Sequence, residues 1–135
     1  MKRSVLSVIA GLITAVITFV IVEKVNDLLH PFPANFDFKN SEAVADYFGS
    51  QPLLYWMMVL LGYILGSLLC GFFIKYIKKE DKKKLPIIAG SILTLSAVSN
   101  FMLIPHPTWF IVLALIIFIP VTLLGHSLYK LNSNG

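Results

Sequence analysis

The chain has 135 residues, 57% of them apolar and 13% charged, with a formal net charge of +4. That leaves room for one domain and excludes a soluble one, whose composition would carry about 25% charged residues. The single cysteine, Cys70, excludes an intramolecular disulfide and any paired-cysteine redox or zinc motif.

Four apolar runs approach or exceed the ~20 residues that a bilayer-spanning helix needs. They predict an all-α polytopic membrane protein, one domain over 1–135, with four membrane helices in an antiparallel bundle. The expected spans are about 4–29, 53–77, 86–104 and 108–129, with a loop at 31–52 and a lysine-rich loop at 78–85.

The first run, Val5 to Val22, follows Lys2 and Arg3 and ends in Glu23-Lys24-Val25-Asn26. It has no small-residue cleavage site, so it reads as a retained anchor and not a signal peptide. Ser7, Gly11 and Ala15 recur every fourth position and offer a face that another helix can approach closely. The helix is expected to continue to about His30, where Pro31 stops it.

In the loop that follows, Ser41 to Phe48 predicts a short amphipathic surface helix, with Ser41 as N-cap and Gly49 as terminator. Ala43, Val44, Tyr47 and Phe48 share one side of it. Pro52 then opens the second membrane helix, with Tyr55 and Trp56 at headgroup level. Gly62, Gly66 and Cys70, widened by Ser67 and Gly71, form a strip suited to packing against a helix of this chain or of another copy. Pro86 opens the third helix. The fourth contains Pro120, which removes the hydrogen bond to the Ile116 carbonyl. Only Pro105-His106-Pro107 separates these two, which makes them antiparallel neighbours.

Orientation follows from charge. Lys2, Arg3, Lys75, Lys78, Lys79, Lys82, Lys83, Lys84 and Lys130 fall on one side, and only Lys24 and Lys39 on the other. By the positive-inside rule both termini are cytoplasmic and the 31–52 loop faces outward. The six lysines from Lys75 to Lys84 serve as a topology determinant and as contacts for anionic lipid headgroups. The loop is short, pinned at both ends and has one aromatic, Tyr76, so it is not a nucleic-acid site.

The same orientation gathers polar residues on the outer side. Glu23, Asp27 and His30 are spaced i, i+4 and i+7 and project from one helical face, with Asn100 and His106 at a similar level. Two imidazoles and two carboxylates suit a divalent cation. A simpler expectation is that Glu23 and His30 hydrogen-bond Asn100 or His106 and tie the first helix to the last outer turn. His126 lies at the other end without a matching histidine, so neither a haem nor a proton relay is expected there. No acid lies mid-helix, which argues against a proton-coupled exporter. No nucleophile–base pair or phosphate-binding loop is present, and no catalytic residue or cofactor is expected.

Two stretches together, Glu23 through His30-Pro31-Phe32-Pro33-Ala34 and Asn100-Phe101-Met102-Leu103-Ile104-Pro105-His106-Pro107-Thr108-Trp109-Phe110, resemble small four-helix proteins of bacterial inner membranes. The likeness in layout covers nearly the whole chain. That family has no assigned activity, so the resemblance implies a compartment and no mechanism. The function expected is non-enzymatic: a small structural or accessory membrane protein, self-associating through its small-residue face or joined to a partner membrane protein. The other reading is a transport component for a small solute or ion with an outer polar or metal site.

Overall fold

A computed structural model describes residues 1–131, which form five helices and no strand. They are α1 (Lys2–Leu29), α2 (Ser41–Gly49), α3 (Leu53–Lys78), α4 (Lys84–Leu103) and α5 (Thr108–Leu128). All but α2 are long and apolar enough to cross a membrane. At ~1.5 Å per residue, α1 is about 42 Å long, so it outruns the ~30 Å hydrocarbon core that α4 just matches.

Burial is arranged as a bilayer demands. The outward faces carry Ile9, Ile13, Ile17, Leu61, Leu65, Val112 and Ile116, while Ser7, Gly11, Ala15, Ser67, Cys70 and Thr122 are buried. Lipid tails solvate large apolar side chains as well as a protein core does. Association therefore relies on close van der Waals approach, which small residues permit.

α3 is the shared element, flanked by α1 on one side and α5 on the other, with α4 against α5. The Gly62, Gly66 and Cys70 strip meets α1. A Cβ at Gly62 would touch Val22, one at Gly66 would overlap Phe19, and one at Gly11 would lie 2.8 Å from the Cys70 carbonyl oxygen. Of the two partners the strip allowed, a helix of this chain or of another copy, α1 of the same chain fills it. The neighbouring face of α3 meets α5 at still closer range. A Cβ at Gly71 would overlap the Thr122 carbonyl, and one at Gly125 would overlap the Leu68 carbonyl.

Hydrogen bonds at both ends of the α1–α3 pair set its register. Arg3 Nε donates to the Ile77 carbonyl at 2.9 Å, and Asn26 Nδ2 donates to the Tyr55 carbonyl at 3.1 Å. Pro52 and Pro107 stand as N-caps of α3 and α5, and α5 continues through Pro120. The short helix departs from expectation at both ends. Asn40 is its cap, its side chain accepting from Glu42 N at 3.1 Å and Ala43 N at 3.2 Å, and Ser41 lies inside the first turn. Gly49 stays helical, and Ser50 ends the helix by donating back to the Asp46 and Tyr47 carbonyls. Tyr47 is the buried residue of α2, stacked on Phe32 at 4.6 Å between ring centroids.

The lysine loop is less free than its charge implies. Lys75 is buried and paired with Asp81, and Lys78 pairs with Glu80 at 3.3 Å. Lys79 takes a left-handed conformation (φ 58°) to close α3, and its Nζ donates to the Tyr129 hydroxyl at 3.0 Å. The headgroup role expected of all six therefore does not hold for Lys75. Lys82, Lys83 and Lys84 are exposed.

Candidate functional site

At the α2 end of the helices lies a cavity of about 90 Å³. Three of the five expected site residues line it: Glu23 from α1, Asn100 from α4 and His106 from the α4–α5 turn. Each is placed by local chemistry. Glu23 ends the apolar run of α1, one residue past Val22, which packs on Gly62. Asn100 lies one turn before the end of α4, its side chain beside the Tyr63 hydroxyl. His106 is held by the two prolines around it and by Nδ1–H donating to the Ile104 carbonyl at 2.6 Å.

That bond sets the tautomer. With Nδ1 carrying the proton, Nε2 of the neutral ring is an acceptor. The imidazole stacks on Phe110 at 5.5 Å and meets Trp56 at 5.1 Å and Phe101 at 4.6 Å. Burial among these rings holds its pKa below the usual histidine range, with the Ile104 bond acting weakly in the opposite direction.

The remaining wall is made of five aromatic residues together with Val22, Val59, Gly62 and Ile104. Phe19 and Tyr63 meet at 5.3 Å, Tyr55 and Trp56 at 5.1 Å, and Phe48 of α2 lies 6.4 Å from Trp56. Phe48, Trp56 and His106 also line a second, more open hollow of about 410 Å³ with Leu53, Pro105, Pro107 and Trp109. The two hollows therefore share a wall of three rings.

Asp27 and His30 do not line the cavity. The His30 Nδ1 faces Asn26, 3.1 Å from Oδ1 and 3.3 Å from the carbonyl oxygen, and its ring meets Tyr55 edge-on. Its main-chain carbonyl accepts from the Tyr47 hydroxyl at 3.0 Å. The tie expected from His30 to Asn100 or His106 is replaced by a tie to α2 and α3. The less favoured grouping of Glu23, Asp27, His30 and His106 around a metal is likewise not formed, since Asp27 and His30 lie away from the cavity. Among the described residues, no three His, Cys, Asp or Glu side chains are placed to hold an ion.

The residue that sequence reasoning missed is Asn26, 1% exposed and bonded to both Tyr55 and His30. A signal for it exists. Continuing the Ser7, Gly11, Ala15 face by steps of four and three reaches Phe19, Val22 and Asn26, all on the α3 side.

A second polar group lies at the lysine end. His126 is 4% exposed, close to the Glu80 backbone and to the Lys75–Asp81 pair. The exposed Asp81 carboxyl is held below the usual aspartate range by its hydrogen bond to Lys75. Compared with protein-family models, curated proteins and solved structures, the chain matches none.

Proposed function

We propose that the chain is a non-enzymatic integral membrane protein that holds a small solute in the cavity at the α2 end, as a binding or transport component. The observation that supports this is the convergence of Glu23, Asn100 and His106 on one cavity from three separate stretches of chain. Polar groups lining a largely apolar cavity leave donors and acceptors that a bound ligand can satisfy.

In this reading the four long helices cross a bacterial inner membrane as an antiparallel bundle. The termini and the lysine loop are cytoplasmic, and α2 rests as an amphipathic helix on the outer surface. The excess of basic residues at one end supports that orientation. An accessory role through self-association at Gly62, Gly66 and Cys70 has less support, because α1 occupies that face.

The test is a ligand-dependent rise in melting temperature of the purified chain across a panel of small amines, amino acids, alcohols and carboxylates. Val59 lines the cavity, so Val59→Phe should abolish the rise. Val112 is 52% exposed on α5, and Val112→Phe should preserve it. A flat response to the whole panel refutes the proposal.

A further inference from the structure

Beside the aliphatic Val22, Val59 and Ile104 and the polar Asn100 and His106, two components of the cavity wall bear on what it recognises. One is a set of aromatic rings: Phe19 on α1, Phe48 on α2, and Tyr55, Trp56 and Tyr63 on α3. Phe19 and Tyr63 meet edge-on at 5.3 Å, and Phe48, Tyr55 and Trp56 lie 5.1–6.4 Å apart, tilted or edge-on, so two groups of rings line the cavity. The other is a single carboxylate, Glu23. Among the described residues the ion pairs are Lys75–Asp81 and Lys78–Glu80, and Glu23 belongs to neither. Glu23 is also an exposed residue, so the cavity it lines is not a sealed void.

An unpaired carboxylate beside aromatic faces has a specific complement. Ring faces attract a cation that comes within about 6 Å of their centroids, most strongly where water is displaced. Taking the cavity as a solute site, as proposed above, the geometry points to a small alkylammonium ion as its occupant. The charge faces Glu23 and the alkyl groups lie against the rings. Among the lining residues, the groups able to accept from its N–H are the Glu23 carboxylate, the Asn100 side-chain carbonyl and His106 Nε2.

The other ligand classes fit less well. An anion would meet the Glu23 charge. A neutral apolar solute would cover Glu23 and Asn100 without satisfying them. A hard metal ion such as calcium takes about six to eight oxygen ligands, and softer ones take clustered His and Cys, which the described residues do not supply here. Size sets the upper limit. About 90 Å³ is several times what one water needs, ~10–15 Å³, and well below the ~300 Å³ of drug-sized sites. The occupant has a few heavy atoms.

The experiment is a calorimetric titration of the full chain in nanodiscs with propylammonium, 1-propanol and propionate, which share a three-carbon scale and differ in charge. Propylammonium should bind at least about tenfold more tightly than either, and Glu23→Gln should remove about tenfold of that affinity while changing binding of the alcohol much less. The ligand-free melting temperature of Glu23→Gln reports whether it folds, and the wild-type ranking stands without it. An alcohol that binds as tightly as the amine, or tighter binding of propionate, overturns the ammonium assignment and leaves a solute cavity. Silence from all three probes overturns the assignment, and silence from the wider panel as well overturns both readings.

Discussion

The side-chain amide of Asn26 donates to the main-chain carbonyl of Tyr55 at 3.1 Å, joining the far end of α1 to the first turn of α3. The same side chain meets His30 Nδ1 through its oxygen, so one buried residue serves two partners. Polar contacts between membrane helices contribute about 0.6 kcal/mol on average and reach about 1.7. Asn26→Leu keeps the branched outline of the side chain, with bulkier methyl ends, and removes both contacts. It should destabilise the fold by about 1–2 kcal/mol in a detergent unfolding titration. An unchanged midpoint would mean that the α1–α3 register is held elsewhere.

The glycines make opposite predictions. Gly71→Ala places a methyl group against the Thr122 carbonyl, where backbone and not a flexible side chain must yield. It should cost about 1–3 kcal/mol. Gly49 is helical, and a methyl group added there would meet nothing within 4 Å, so Gly49→Ala should stabilise by about 0.5–1 kcal/mol. Melting of the two variants side by side checks the pair.

Acid should weaken the fold through His106. Burial lowers its pKa in the folded chain, so the unfolded chain binds the proton first as the pH falls. Stability from this group is therefore intact above about pH 6.5 and declines below it. His106→Gln should flatten that part of the stability–pH curve. Identical slopes in wild type and variant would show that other groups set it.

Asp81 and Lys75 supply a test at the other end. The folded carboxyl titrates below the usual aspartate range because Lys75 pairs with it. Its contribution is present above the ordinary aspartate value and lost as the pH falls through the lowered one. Asp81→Asn leaves Lys75 buried without its partner and should lower the melting temperature. Adding Lys75→Met should restore much of it. A double variant as unstable as Asp81→Asn alone would assign the loss to Asp81 itself.

The proposed orientation is open to a chemical test. Native Cys70 is buried, so a thiol introduced by Lys82→Cys is the one available to a polar maleimide. It should resist labelling from outside intact cells and react once the membrane is opened. Labelling from outside would reverse the assignment of sides.

The helices are legible in the sequence because apolar runs and prolines mark them directly. Leu53–Lys78 and Thr108–Leu128 fall within one residue of the expected spans, and Lys84–Leu103 starts two residues early because Pro86 sits in its first turn instead of opening it. Side-chain partners are less legible. Charge and spacing group Glu23, Asp27 and His30, but α1 ends at Leu29 and His30 is its non-helical cap, so its ring meets Asn26 and Tyr55 while Glu23 lines the cavity. Lys75 falls inside the expected helix span, yet nothing in its sequence neighbourhood separates it from the surface lysines that follow or shows that α3 turns it to the interior. The small-residue strip is visible, but whether it faces inward or toward another copy depends on which helix reaches it first.

The two contacts between α3 and α5 are reciprocal: each helix offers a glycine to the other's carbonyl, Gly71 to Thr122 and Gly125 to Leu68. Main chains meshed in both directions leave no slack for one to slide along the other without lifting out of register. Any shape change that admits or releases a molecule must then treat α3 and α5 as a single strut. The give has to come from α1, from α4, or from the rings that separate the two hollows.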